Sequence, residues 1–116
     1  MKRLLLLALP LMLSACAAER DGALTEPAQL DGKQLAFSRN KGNCLACHVI
    51  ADGESPGNIG PRLQSLASRF ANKQQLREQI WDARQFNPET SMPPFGTHHI
   101  LSPTEIDAVV DYLWGL

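Results

Sequence analysis

The chain has 116 residues, room for one small domain at most. Eleven basic residues stand against twelve acidic ones, for a formal net charge of −1 and no charge run, so the basic footprint of a nucleic-acid-binding protein is absent. Apolar residues make up 44 % of the chain, enough for a compact core. A domain of this size buries only about two thirds of its unfolded surface, so a large apolar group at its centre would add to its stability.

The N-terminus reads as a targeting segment. In "MKRLLLLALPLMLSACAA", Lys2 and Arg3 precede an apolar run from Leu4 to Leu13 and then small residues, the order of a secretory signal. The run is about half the ~20 residues of a spanning helix. "LSAC", Leu13 to Cys16, resembles the bacterial lipobox, in which cleavage falls before a lipid-bearing cysteine, so Cys16 is the expected lipid attachment point. Ordinary cleavage after the A-x-A-like "ACA", ending at Ala17, is the alternative, and it would remove Cys16. Either way the chain is expected to be exported to the periplasm. The expected layout is a signal over 1–15, a polar tether or irregular arm over 16–30, and one domain over 31–116.

Within that domain the apolar periodicity is helical throughout. "DGKQLAFSRNKG" (31–42) has Asp31 as N-cap and Gly42 as a stop, with Gly32, Leu35 and Ala36 on one face. Gly32 costs about 1 kcal/mol of helix propensity relative to Ala, and such a glycine often serves close packing. A shorter helix is expected near 63–70. "NKQQLREQIWDARQF" (72–86) carries Asn72 as N-cap with Gln75 three residues on, and an apolar stripe of Leu76, Ile80 and Ala83. "SPTEIDAVVDYLWGL" (102–116) has Ser102 as cap, Pro103 at the first helical position, Glu105 completing a capping box, and the stripe Ile106, Val109, Val110, Leu113. No alternating strand pattern occurs, and the class is all-α. Two long Gly/Pro-rich loops, 52–63 and 87–99, separate the helices; such loops are usually functional or disordered.

"CLACH", residues 44–48, is where chemistry concentrates. C-x-x-C-H can be a dithiol redox pair, part of a zinc site, or a c-type haem attachment. A closed zinc site needs four ligands, of which Cys44, Cys47 and His48 supply three at most, and adjacent Cys47 and His48 do not easily reach one tetrahedral centre. A dithiol oxidoreductase usually places C-x-x-C beside a βαβ pattern, and this chain shows no strands. Haem attachment needs two thiols spaced for two vinyl groups and a neighbouring imidazole for the iron. The spacing and the exported compartment favour one covalent haem c, with Cys44 and Cys47 as thioethers and His48 as an axial ligand.

For the sixth position, Met92 is the only methionine outside the signal and lies 44 residues after His48. A lone Met is more often core filler. Pro93 and Pro94 stiffen the backbone that carries this one, and a thioether suits low-spin iron. His98 and His99 are the rival ligands.

"GNCLACH", "GNIGPRL" and "MPPFG" resemble class I c-type cytochromes. "PGNIGPRL" followed by "RF", then "LREQIWDARQFNPETSMPPFG" and "ILSPTEIDAVVDYL", resemble more closely the SoxX family, the monohaem subunits of the SoxAX complexes of sulfur-oxidising bacteria. The similarity runs from about Asp31 to Leu116. It implies a class I cytochrome c-like fold of about four helices around one covalently bound haem c. In it the first and last helices cross with a glycine against an aromatic, roles that Gly32 and Tyr112 match. It implies also that the carbonyl of Pro61 accepts a hydrogen bond from His48 and orients its ring; a plain turn proline is the alternative.

A haem with both axial positions filled by protein passes single electrons rather than binding substrate. The chain shows no carboxylate pair with acid/base context and no thiol to spare, so no catalytic residue is expected in it. The resemblance implies a SoxA-like cytochrome as heterodimer partner that hosts the coupling of thiosulfate to a cysteine of the SoxYZ carrier, the reaction of an L-cysteine S-thiosulfotransferase. This chain would accept the electrons and hand them to a downstream cytochrome c. A free periplasmic electron carrier is the alternative function, and a zinc module the one from another class. Leu45, Val49, Ile59, Pro93, Pro94 and Phe95 are the candidate surface for docking near the haem edge.

Overall fold

A computed structural model of the chain describes residues 29–116. The expected signal, Cys16 and most of the arm lie outside the described residues. Gln29 and Leu30, at its end, are exposed and irregular. Among the described residues no helix is long and apolar enough to cross a membrane.

Three α-helices carry the fold: α1 (Gly32–Phe37), α2 (Lys73–Trp81) and α3 (Pro103–Trp114). Single 3₁₀ turns lie at Cys44–Ala46, Leu66–Ser68 and Ala83–Gln85. Among the described residues there is no strand, only an isolated parallel bridge between Ile50 and Leu63. The all-α class holds among the described residues, with the element expected near 63–70 reduced to one 3₁₀ turn.

Helix α3 is the spine, packed by both α1 and α2. Its start is fixed by a complete capping box. Ser102 Oγ accepts from the Glu105 amide at 3.2 Å, and Glu105 Oε2 accepts from the Ser102 amide at 2.8 Å, with Pro103 where its missing N–H costs nothing. Ile106, Val109, Val110 and Leu113 are all buried, as the 3.6-residue period requires. Lys41 reaches Glu105 Oε1 at 2.6 Å, tying the segment before Cys44 to the head of α3.

Helix α1 crosses α3 at its own first residue. A Cβ on Gly32 would overlap the Ala108 carbonyl and come within 2.9 Å of the Tyr112 Cβ. The absent side chain is what lets the two backbones meet. Phe37 then meets the Tyr112 ring edge-on, centroids 6.2 Å apart at 83°.

Two helix boundaries depart from the sequence expectation. Helix α1 ends at Phe37, not near Gly42. Ser38 turns to extended backbone, and the polar run after it offers no apolar residue to continue the buried stripe. Gly42 is buried and is a point of close approach rather than a stop, since a Cβ there would lie 2.9 Å from the Leu35 carbonyl and 3.2 Å from Cys44 Sγ. Helix α2 ends at Trp81, not Phe86. Asp82 adopts φ −158° and its side chain accepts from the Arg84 amide, competing with the helical ladder as Asp commonly does. The stripe continues across the break, with Leu76, Ile80 and Ala83 all buried. At the head of α2, Asn72 caps the Gln75 amide, while the Gln75 side chain reaches back to Ala71 rather than to Asn72.

Candidate functional site

The C-x-x-C-H segment is wound into one tight turn. The Cys47 amide donates to the Cys44 carbonyl at 3.2 Å, and the His48 amide donates to the same oxygen at 2.8 Å. Asn43, just before it, takes the left-handed conformation at φ 47°, which Asn tolerates better than most residues. The turn therefore sets Cys44 and His48 four residues apart on one winding. Cys44 packs against the buried core alongside Leu35, Phe37 and Leu63.

The loop 57–61 folds down onto this turn. Gly57 donates to the Leu45 carbonyl at 2.7 Å, and Gly60 to the Cys47 carbonyl at 2.8 Å. A Cβ at 57 would overlap the Ala46 carbonyl, and a Cβ at 60 would overlap the imidazole of His48. The next residue supplies the decisive contact: Pro61 O lies 2.6 Å from His48 Nδ1. A carbonyl oxygen only accepts, so Nδ1 carries the hydrogen and donates, and Nε2 keeps its lone pair for a metal. Carbonyl-anchored histidine of this kind is the usual second partner arrangement of a metal-ligating imidazole.

Met92 sits elsewhere in the chain, on the loop that follows α2. Asn87 starts an Asx turn, accepting from the Glu89 amide through Oδ1 at 3.1 Å, and the Met92 amide donates to Thr90 Oγ1 at 3.1 Å. The Met92 side chain is half-buried, packs against the same core as Cys44, and has Gln79 Nε2 at 4.0 Å from its sulfur. The loop returns to α2 through Gly96 and Thr97, both donating to the Trp81 carbonyl, and Gly96 lies so close to the Trp81 ring that a Cβ would overlap it. His98 and His99 lie on the exposed turn beyond this closure, with His99 at φ 54°.

The docking surface expected from sequence is corrected in part. Ile59 is 74 % exposed, and Pro93 is exposed. Pro94 and Phe95, by contrast, are buried, Phe95 within the main core, because the loop closes back onto α2 immediately after them. Leu45 and Val49 are intermediate.

The surroundings of Cys44 weigh against its use as a nucleophile. Burial pushes the Cys44 thiol up to about 11, opposed by a backbone hydrogen bond and aided by Cys47. Redox-active and metal-binding cysteines have lowered, not raised, values. Among the described residues no three or more His, Cys, Asp or Glu side chains converge on a metal-sized centre. The residues do fit a haem: two thiols on one turn, an imidazole with Nε2 left available, and glycine where a side chain would fill the space against the imidazole. Sequence reasoning found Pro61 and missed Gly57, Gly60 and Asp82. The glycines were visible in "PGNIGP", but only the fold shows what they lie against.

Residues 29–116 match the cytochrome c family. A lipoprotein of Aquifex aeolicus (strain VF5), described as uncharacterized, is 37 % identical over 78 residues. That alignment takes in 63 % of this chain and 36 % of the relative, so the chain spans little more than a third of that protein's length. Among solved structures, the crystal structure of SoxXA from P. pantotrophus superposes with a TM-score of 0.65 at 29 % identity, over 72 % of this chain and 77 % of that one. With an all-α fold, a C-x-x-C-H turn and both likenesses in agreement, the chain belongs to the cytochrome c family, as a SoxX-like class I member with a covalently bound haem c and electron transfer as its work.

Proposed function

We propose that this chain is the electron-transfer subunit of a SoxAX-type pair in periplasmic sulfur oxidation. The observation that carries the ligand assignment is the His48–Pro61 hydrogen bond, which presents Nε2 as the free nitrogen of an oriented imidazole. Cys44 and Cys47 would hold the haem covalently, and His48 and Met92 would be the residues that ligate its iron. When bound, the haem supplies a one-electron couple whose potential His/Met ligation raises. The protein's share is to hold the imidazole in one tautomer, to seat the attachment turn on the core, and to carry Met92 on a loop braced at both ends.

In the proposed reaction a SoxA-like partner joins thiosulfate to a carrier cysteine of SoxYZ. The S–H bond is broken, a sulfur–sulfur bond forms, and one proton and two electrons leave. This domain takes the electrons singly to a downstream cytochrome c. The likeness to the SoxXA structure supports the pairing. Residues 1–15 are proposed as the signal, Cys16 as the lipid anchor, 16–30 as the tether and 31–116 as the cytochrome domain; the lipoprotein relative supports the anchor.

The test is reconstitution. The haem-loaded chain and a SoxA-like cytochrome should co-elute and together turn over thiosulfate with a carrier thiol, each subunit alone being inactive. Turnover by this chain alone contradicts the division of labour, and failure to bind the partner favours a free periplasmic carrier. Cys16→Ser should move the protein from the membrane to the soluble periplasmic fraction; unchanged fractionation contradicts the anchor.

A further inference from the structure

Asp82 is the one charged residue buried among the described residues, 8 % exposed. Its carboxylate is fully engaged. Oδ1 accepts from the Arg84 amide at 3.2 Å and from Arg84 Nε at 2.7 Å. Oδ2 accepts from Arg84 Nη2 at 2.7 Å and from the Thr97 hydroxyl at 3.0 Å. Three of these four contacts are local, two residues along the chain. The fourth spans fifteen residues and crosses the base of the loop that carries Met92.

We infer that Asp82, through Thr97, is a positioning residue that clasps the base of the Met92 loop and holds its thioether on the iron. The inference rests on the reading of Met92 as an axial ligand.

The loop leaves at Asp82 and Ala83 and returns at Gly96 and Thr97. At the return, two amide bonds run to the Trp81 carbonyl, at 3.0 Å and 3.4 Å, and Gly96 lies flat on the Trp81 ring. The longer of these two bonds is the weaker one, and it belongs to Thr97. The carboxylate–hydroxyl bond secures that same residue from the other side, by a charge-assisted bond stronger than a neutral one. Arg84, 45 % exposed at its side chain, balances the charge from the solvent side and holds the carboxylate well below the usual range. The carboxylate is thus ionised and aimed at the loop. A thioether is a weak ligand on a flexible side chain, so the equilibrium between bound and released Met92 depends on how tightly the loop is closed.

The test uses haem-loaded protein carrying Thr97→Val, Thr97→Ser, Asp82→Asn and Met92→Ala. The readouts are the thioether-to-ferric-iron charge-transfer band and the rate of carbon monoxide binding to the reduced form, both taken where circular dichroism shows the native fold. Thr97→Val removes only the hydroxyl and should raise the Met-released population, and with it carbon monoxide binding, about tenfold or more. Asp82→Asn should act in the same direction, while Thr97→Ser, which keeps the hydroxyl, should behave as wild type. If Met92→Ala opens the site but Thr97→Val and Asp82→Asn leave band and binding unchanged, the clasp is wrong and the ligand reading stands. A Thr97→Ser variant as impaired as Thr97→Val also overturns the clasp, since the hydroxyl would not be what matters. If Met92→Ala changes neither readout, the ligand reading falls and the clasp with it.

Discussion

His48 donates from Nδ1 to the Pro61 carbonyl across 2.6 Å, and Gly60, the residue before that proline, lies flush against the imidazole it orients. Neither partner acts through a side chain. One is a main-chain oxygen, the other a missing Cβ. The ring is thus fixed by a hydrogen bond on one nitrogen and by steric contact on its face.

Gly60→Ala should displace that ring. The new Cβ would sit 2.6 Å from Nδ1 and closer still to Cε1, so either the imidazole tilts or the loop lifts. Overpacking of this kind costs about 1–3 kcal/mol. The iron–imidazole stretching frequency in the reduced protein should shift, and the yield of haem-loaded protein should fall. An unchanged frequency would mean that His48 is not the ligand held by this loop.

Met92→Ala should leave the haem covalently attached, because the thioethers do not depend on it, and open the sixth position. The reduced variant should bind carbon monoxide and show a lower potential, since the proposed Met92 ligand would raise it. Retention of the wild-type spectrum and potential would transfer the ligand role to another residue, with His98 and His99 next in line.

Gly32→Ala tests the crossing of α1 and α3. The Cβ would collide with the Ala108 carbonyl, a backbone atom within a helix that cannot move aside cheaply. The roughly 1 kcal/mol of helix propensity gained should be outweighed, for a net loss of about 2 kcal/mol and a fall of about 10 °C in Tm. A variant as stable as wild type would mean the crossing adjusts freely.

The Glu105 carboxyl is held below its ordinary range by the Lys41 ammonium first and by the Ser102 amide next. A carboxyl depressed on folding contributes stability that is present above its unfolded value, about 4.3, and lost as pH falls through the folded value. Glu105→Gln keeps a side chain able to close the capping box but drops the charge. The wild type should exceed this variant in urea midpoint at pH 7, and the gap should close below about pH 4. A gap that persists at low pH would place the effect in packing, not charge.

How far the sequence led can be followed residue by residue. The stripe of α3 and its capping box were legible because they are local: periodicity and a three-residue spacing specify them. The break at Asp82 was not, because the stripe of Leu76, Ile80 and Ala83 runs straight through it, and only the turn of the Asp82 side chain onto Arg84 ends the helix. Pro94, two residues after Met92, was expected at the surface because the loop carrying the ligand was read as lying at the haem edge. Pro94 is buried because Gly96 closes onto Trp81, a contact between positions fifteen residues apart. Gly42 looked like a stop for a related reason: a glycine that ends a helix and one that admits a neighbouring segment are the same letter.

The most direct test of the central claim, one covalent haem c acting as a one-electron carrier, is a potentiometric titration of the purified protein with electrons counted per chain. One electron per chain and a Nernst slope of about 59 mV per decade are expected, both lost on replacing Cys44 and Cys47 with alanine. Two electrons per chain with a slope of about 30 mV would mark a dithiol couple at those cysteines, and no titratable electron would mark a structural metal. Either result would rule out a single covalent haem acting as a one-electron carrier.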